Sequence, residues 1–236
     1  MRADPVTGEV LQGPLEPVYV YEAPVRLAHW VFAIAITVLA VTGYLIGDPV
    51  SIQQGEASES FFFGWIRTIH FIAGYTLAIM FVVRVYWAIV GNKSARSIFV
   101  PPLWSPRWWK GVFAQASYYL FIGKERLWVG HNPLAQAAMF FMFTLGVIFM
   151  ILTGFALYAQ QWGWGLTPMN LFGWQFVLFE QPQTLRTLHH LGMWYVLLFV
   201  MVHVYMVFRE DIMSGQSVIS TMINGVRMWK AKPRAH

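Results

Sequence analysis

The histidines are the residues in this sequence whose type and spacing best suit chemistry. Four of them, His29, His70, His189 and His203, lie in or at the ends of long apolar segments. Ionisable residues are costly in such segments, so they are few and usually face the interior of a bundle. A single histidine there is more often a hydrogen-bonded packing residue, but the arrangement of all four favours a functional role. His189 and His203 are 14 residues apart, which places them within about 40° of one helix face and roughly 21 Å apart along the axis. One helix therefore presents two imidazoles at two depths.

His190 directly follows His189 and competes with it for the same role. It is 13 residues from His203, so on a helix it points about 140° away from that residue. We therefore favour His189 over His190 as a ligand.

Long apolar runs must position these histidines. The chain is 57% hydrophobic and 11% charged, against roughly 45–50% and about 25% in soluble domains. A membrane helix needs about 20 apolar residues, and four runs of that kind are present, at about 28–46, 64–90, 135–158 and 185–208. The sequence predicts an all-α integral membrane four-helix bundle, divided into a polar N-terminal tail 1–18, a transmembrane domain 19–210 and a C-terminal segment 211–236.

Positive charges predict the orientation of these helices, because loops rich in Lys and Arg stay in the cytoplasm. Such residues gather in the two tails and in the loop between the second and third runs: Arg2, Arg26, Lys93, Arg96, Arg107, Lys110, Lys124, Arg126, Arg209, Arg227, Lys230, Lys232 and Arg234. The other two connections carry only Arg67 and Arg186. We expect a multi-pass protein of a bacterial cytoplasmic (inner) membrane, with both termini in the cytoplasm. Charges scattered in this way do not favour nucleic-acid binding.

This orientation sorts the histidines into two pairs by depth. His70 and His189 are expected near the external side, and His29 and His203 near the cytoplasmic side. Two imidazoles at one level match the two axial positions of a haem, whose own nitrogens fill the equatorial plane. A structural zinc site would need four ligands at one level. The chain has no Cys, which excludes covalent haem attachment and iron–sulfur clusters, so the sequence predicts two haem b groups.

Small residues near the histidines leave two interpretations open. Gly43, Gly74 and Gly192 could make room for a flat macrocycle, or they could allow close packing of helices in lipid.

Four further polar residues are candidates for binding a cofactor. Arg84 is 14 residues after His70, so it shares that helix face and is predicted to pair with a haem propionate; an interfacial positive charge is the alternative. His131, Asn132 and Gln136 adjoin the start of the third run, where they could bind a quinone headgroup. The Asn-Pro pair there also predicts a helix start, so helix capping is the alternative for these residues.

Several stretches together resemble the b-type cytochrome subunit of membrane-bound uptake NiFe hydrogenases. They are APVRLAHW at 23–30, IHFIAG at 69–74, GHNPLAQ at 130–136, HHLGMW at 189–194, HVYM at 203–206 and Arg209-Glu210-Asp211. The resemblance runs from about residue 19 to about residue 229.

The resemblance implies a dihaem cytochrome with axial ligands at His29, His70, His189 and His203. Such a subunit anchors a periplasmic hydrogenase through its small subunit, and through that the large subunit, in the membrane lipid. It passes electrons from the iron–sulfur chain of the small subunit to the quinone pool, and it has no hydrogen-splitting centre of its own. Asn132 also resembles a quinone-site residue of related formate dehydrogenase cytochromes, as does Gln136.

Three other functions remain open at this point. The nearest is a dihaem cytochrome b that serves another periplasmic dehydrogenase, such as formate dehydrogenase, although residues 209–211 and 219–225 resemble the hydrogenase subunits. A transporter or channel with histidine proton relays would be colourless, whereas a haem protein is red. An anchor whose haems are only structural is the third.

Overall fold

A computed structural model describes residues 15–49, 61–123, 128, 130–162, 165, 167–179, 181–214 and 217–230. Four helices in it are long and apolar enough to cross a membrane, and we call them the first to fourth spans: Ala23–Gly47, Phe62–Val90, Pro133–Trp162 and Pro182–Ser214. They contain the four predicted runs, so the predicted all-α membrane fold is confirmed. Five of the predicted cytoplasmic charges lie outside the described residues, namely Arg2, Lys124, Arg126, Lys232 and Arg234.

The described elements follow one another as β1 (Leu15–Tyr19), α1 (Ala23–Gly47), α2 (Phe62–Val90), α3 (Lys93–Arg96), α4 (Pro106–Tyr119), α5 (Pro133–Ala138), a π-helix (Met139–Thr144), α6 (Leu145–Ala159), a 3-10 turn (Gln160–Trp162), α7 (Thr167–Phe172), α8 (Trp174–Phe179), α9 (Pro182–Ser214), α10 (Val218–Asn224) and β2 (Val226–Lys230). The third span thus consists of α5, the π-helix, α6 and the 3-10 turn. The other three spans are α1, α2 and α9.

The third span begins as its sequence predicts. Asn132 is the N-cap, and its side-chain oxygen accepts a hydrogen bond from the backbone N–H of Ala135; Pro133 occupies the first helical position. Proline fits there because the amide hydrogen that it lacks has no partner inside a helix. The π-helix that follows was not predicted, and such segments are frequent at functional sites.

The chain divides into two compact units. The first unit comprises 1–29, 83–144 and 199–236, and the second comprises 30–82 and 145–198. Each of the four spans contributes one segment to each unit.

The first unit joins the two ends of the described chain. β1 pairs antiparallel with β2, from Leu15 opposite Lys230 to Tyr19 opposite Val226, so most of β1 lies in the stretch predicted as a polar tail. Next to β1, the Glu22 carboxylate accepts hydrogen bonds from the Trp87 indole N–H (2.9 Å) and from the Asn92 backbone N–H (3.0 Å). These contacts hold the start of α1, and with it His29, against the end of α2.

The second unit has its own apolar core. It contains Ala156 and Ala159 from α6, Met169 from α7, Phe176 from α8 and Leu185 from α9. The short helices α7 and α8 therefore pack against the ends of two spans, which fixes the part of α9 that carries His189.

Candidate functional site

The first unit brings His29 and His203 together. Their ring centroids are 6.3 Å apart, and the rings are tilted by 53°. Phe199 stacks on His203, with ring centroids 5.6 Å apart and ring planes inclined by 19°. Bonds from imidazole nitrogens to metals are about 2 Å long, so two imidazoles on opposite sides of one metal ion have centroids on the order of 6 Å apart. The separation therefore fits two axial ligands of one haem.

The second unit places His70 and His189 in the wall of one cavity. Its volume is about 890 Å³, in the upper part of the roughly 300–1,000 Å³ range of cofactor pockets. Its lining is mostly apolar, with Arg67 and Arg186 among its charged members. A cavity of this size with two imidazoles in its wall fits a haem.

Glycines make room beside both of these imidazoles. A Cβ added to Gly43 would lie 3.2 Å from Cε1 of His70, and one added to Gly154 would lie 3.2 Å from Cε1 of His189. Gly74 also lines the cavity. By contrast, a Cβ on Gly192 would approach the sulfur of Met150 to 2.5 Å, so that glycine serves helix packing. Gly43 and Gly74 thus border the cavity as the cofactor interpretation requires, and Gly192 follows the packing alternative.

A hydroxyl group meets each imidazole in the second unit. Thr42 Oγ1 lies 2.8 Å from Nδ1 of His70, and Thr153 Oγ1 lies 2.7 Å from Nδ1 of His189. Sequence reasoning missed both threonines. The signal that could have found them is the Thr-Gly dipeptide, which occurs at 42–43 in the first span and again at 153–154 in the third.

His190 has different neighbours from His189. Its ring lies 6.2 Å from that of Trp194, and its Nδ1 is 3.1 Å from the position of a Cβ on Gly47. It also lines the cavity, so the preference for His189 as the ligand stays a prediction. The hydroxyl contact of His189 supports that preference.

No cluster of three or more His, Asp or Glu side chains that could hold a metal ion occurs within the part of the chain that the structure describes. A zinc site built from protein ligands alone needs at least three of them. Two protein ligands at a site suit a metal whose other ligands come from a macrocycle.

Two arginines are buried in the first unit. Arg84 is 4% exposed and Arg227 is 6% exposed. Arg84 donates through Nη2 to the carbonyl of Ala95 (2.7 Å) and packs over the Phe99 ring, while its buried Nη1 has no hydrogen-bond partner among the described residues. Arg227 donates to the carbonyl of Gly130 (3.1 Å). Arg84 thus has a donor available for an anion.

His131 lies among these charges. Burial, together with the nearby His203, Arg84, Arg227 and His29, lowers its pKa to about 3, so the ring is neutral. Its Nδ1 is 3.2 Å from the hydroxyl of Tyr21, whose pKa burial raises to about 12. His131 is therefore a neutral hydrogen-bonding group beside the His29–His203 pair.

Asn132 and Gln136 are both engaged within the first unit. Besides capping the helix, Asn132 donates through Nδ2 to the hydroxyl of Tyr119 (2.9 Å). Gln136 accepts from the indole of Trp108 (2.9 Å) and donates to the carbonyl of His131 (3.3 Å). The capping alternative for Asn132 is thus what the structure shows, and its quinone role stays a prediction.

Tyr119 was not found from the sequence, although it links Asn132 to the fourth span. Its hydroxyl lies 3.5 Å from a carboxylate oxygen of Glu210. Burial, and then the charge of Glu210, raise its pKa to about 12. The guanidinium of Arg209 packs over its ring at 4.8 Å.

Comparison with known proteins matches this chain to one family. The family model described as prokaryotic cytochrome b561 matches residues 20–225. A protein of Azotobacter chroococcum named as a probable Ni/Fe-hydrogenase B-type cytochrome subunit is 54% identical over 214 residues, which are 90% of this chain and 89% of that protein. A protein of the same name from Rhodobacter capsulatus is 48% identical over 97% of this chain and 90% of its own length.

The likeness extends to enteric bacteria. A protein of Escherichia coli K12, named as a probable Ni/Fe-hydrogenase 1 B-type cytochrome subunit, is 45% identical over 90% of this chain and 91% of its own length. With its paired histidines and four apolar spans, the chain belongs to the prokaryotic cytochrome b561 family, among the B-type cytochromes linked to Ni/Fe-hydrogenases.

Proposed function

We propose that this hydrogenase-linked cytochrome b holds two haem b groups, one between His29 and His203 and one between His70 and His189. The observation that carries the proposal is the pairing of imidazoles: the rings of the first pair are 6.3 Å apart, and the second pair shares a cavity. In each pair the two histidines come from different helices. Four separate structural histidines would not be expected to meet two by two.

Haem iron supplies one-electron redox chemistry when it is bound. The proposed function of the chain is to accept electrons from the iron–sulfur chain of a periplasmic NiFe hydrogenase and to deliver them to a membrane quinone. In this role it anchors the small subunit, and through it the large subunit, at the bacterial cytoplasmic membrane. The names of the relatives support a hydrogenase rather than a formate dehydrogenase as the partner.

The proposed direction of electron transfer follows from the distribution of positive charge along the chain. Lys93, Arg96, Arg107 and Lys110 are described cations of the segment between the second and third spans. Under the positive-inside rule they support a cytoplasmic location for this segment and for both termini. The His70–His189 site would then be external and receive electrons from the partner. The His29–His203 site would be cytoplasmic and face the quinone.

Arginines are proposed to hold the propionates. Arg84 has a buried donor without a partner in the described part of the chain, and it lies in the unit that contains His29 and His203. Arg67 and Arg186 line the cavity of His70 and His189. A guanidinium suits this task because it stays charged and donates in a fixed planar fork.

The quinone is proposed to bind near His131, Asn132 and Gln136. The Nδ2 of Asn132 carries two hydrogens and gives one to Tyr119, so the other can serve a quinone carbonyl. Tyr119 and Glu210 lie beside it and could hold or pass on the protons that quinone reduction consumes.

One spectroscopic experiment tests the proposal. The chain is purified in mild detergent with its hydrogenase, and its absorbance is recorded after oxidation, after dithionite and after hydrogen. We expect low-spin bis-histidine spectra, two protohaems per chain and reduction by hydrogen only when the hydrogenase is present. A colourless chain, or one haem per chain without demonstrated loss on extraction, would contradict the dihaem proposal.

A further inference from the structure

Both histidines of the second unit are held in the same way by a pair of adjacent residues on a neighbouring helix. The hydroxyl of Thr42 meets Nδ1 of His70, and Gly43 faces Cε1 of the same ring. Thr153 and Gly154 contact His189 at the same two atoms. We call each pair a Thr-Gly clip, one formed by residues 42–43 and the other by residues 153–154.

The direction of each hydrogen bond follows from counting hydrogens. Thr42 Oγ1 is also 2.7 Å from the carbonyl oxygen of Val38, and Thr153 Oγ1 is 2.8 Å from that of Phe149. Two oxygens this close need a hydrogen between them, and only the hydroxyl has one to give. The threonine oxygen must then accept from the imidazole, so Nδ1 carries the proton.

This arrangement determines which nitrogen can bind a metal. A neutral imidazole has one N–H and one lone pair, and the hydrogen bond made by one nitrogen sets the state of the other. With the proton on Nδ1, the lone pair is on Nε2. The glycine of each clip places no side chain against the Cε1 edge of the ring. The ring can therefore keep the rotation at which Nδ1 meets the threonine hydroxyl.

We propose that Thr42 and Thr153 are positioning residues that fix the tautomer and rotation of His70 and His189, present Nε2 to the iron, and lower the reduction potential of that haem. The inference rests on the proposed function, since it takes these two histidines as ligands. Acceptors for the outer N–H of a ligand histidine raise its basicity. A more basic ligand favours ferric over ferrous iron and so lowers the potential.

Valine substitutions remove the acceptor while keeping the shape of threonine. In T42V and T153V we expect the ferric form of one and the same haem to be disfavoured by about two- to twelve-fold, the range of one neutral hydrogen bond. Tenfold corresponds to a rise of about 59 mV in a one-electron potential. The low-spin electron paramagnetic resonance signal of that haem should move as well, because the imidazole is free to rotate.

The controls are matched to these variants. T42S and T153S keep the hydroxyl and should keep the wild-type potential and signal. Thr37 lies in the same span and donates to the carbonyl of Ala33 at 2.8 Å, so T37V removes the same kind of backbone bond on an exposed surface and should change nothing. If T42V does not assemble, T42C offers a weaker acceptor of similar size, and a shift in the same direction is expected.

Redox titration of the purified complex, with haem content and electron paramagnetic resonance, separates the outcomes. Unchanged potential and signal in both valine variants, with two haems bound, would reduce the clips to packing and overturn the inference. If H70A and H189A retain both haems, the proposed ligand set fails instead, whatever the threonine variants show. If each histidine variant loses the same haem but the valine variants do not shift it, only the role of the threonines fails.

Discussion

The two histidine pairs lie in different chemical surroundings. His70 and His189 line a largely apolar cavity and meet neutral threonine hydroxyls. His29 and His203 lie with His131 in a unit that buries two guanidinium groups, those of Arg84 and Arg227, and both of these lower the pKa of His131. One fold thus gives two similar histidine pairs different electrostatic surroundings.

This difference has a redox consequence. Ferric haem carries one more positive charge than ferrous haem, so buried cations disfavour the ferric state and raise the potential. Hydroxyl acceptors on the proposed ligand histidines act in the opposite direction. We therefore expect the His29–His203 haem to have the higher potential, which would drive electrons toward it.

The largest expected effect breaks one pair and leaves the other. H189A should lose the haem of the second unit and keep that of the first, because no second axial ligand remains. H190A should keep both, since His190 contacts Trp194 rather than a threonine. Haem content per chain and the absorbance spectra of the reduced protein measure which haems each variant retains. If H190A lost the haem and H189A kept it, the assigned register of α9 would be wrong.

The next largest effect is expected when the charge of Arg84, which distinguishes the surroundings of the two pairs, is removed. A unit charge about 10 Å from the iron, at an effective dielectric constant of about 20, contributes about 1.7 kcal/mol. R84M should therefore lower the reduction potential of the His29–His203 haem. A tenfold change in the equilibrium between ferric and ferrous haem corresponds to about 59 mV. Redox titration measures the shift, and the potential of the other haem should stay unchanged.

Arg96 provides the control for R84M. It also donates to backbone carbonyls, those of Ala88 and Ile89, but its side chain is exposed, where water and salt screen its charge. R96M should leave both potentials unchanged. Equal shifts in the two variants would mean that a structural change, and not the buried charge, moved the potential.

A smaller effect is expected for the quinone site. N132A should slow hydrogen-to-quinone turnover by about two- to twelve-fold, the value of one neutral hydrogen bond, while both haems stay bound and reducible by hydrogen. It should also lower stability by about 1 kcal/mol through loss of the cap. Turnover with excess quinone analogue and thermal unfolding are measured side by side.

Asn92 allows the two roles of Asn132 to be separated. It caps α3 through the N–H of Ala95 (2.9 Å) and donates to the carbonyl of Val20 (3.0 Å), so N92A removes a similar cap from the same unit. N92A should lower stability without slowing quinone reduction. Normal turnover in N132A with reduced stability would leave Asn132 as a cap only.

The smallest effect concerns the glycines of the second pair. G43A and G154A each add a Cβ about 3.2 Å from an imidazole, so the ring must move by a few tenths of an ångström. We expect a small shift in the electron paramagnetic resonance signal of that haem with little loss of haem. G64A is the control, because nothing lies within 4 Å of the added Cβ. An identical spectrum in G154A would show that the ring has room to spare.

Much of the site was predictable because it depends on one-dimensional patterns. The thickness of a bilayer sets the length of a span, and the period of a helix sets which residues share a face. These two rules suffice to locate the spans and to predict that His189 shares a helix face with His203, and Arg84 with His70. Asn132 before Pro133 likewise marks a helix start whatever the rest of the chain does.

The partners of these residues were not predictable in the same way. Thr153 follows the π-helix Met139–Thr144, which adds a residue to a turn and breaks a face count based on 3.6 residues. Tyr119 reaches Asn132 from a separate helix. β1 lies in a stretch that reads as a polar tail, and it forms a strand because β2 supplies its hydrogen bonds.

The membrane class and the four spans could therefore be predicted from sequence, and so could the choice of four histidines as candidate ligands, because apolar length and helical period are local properties of the chain. The fold was needed to show that threonine hydroxyls meet His70 and His189, that Arg84 is buried with an available donor, and that the amide of Asn132 caps a helix and donates one hydrogen bond to a tyrosine. Each of these depends on which side chain of a distant segment comes within hydrogen-bonding distance, and a spacing rule along one helix carries no information about that.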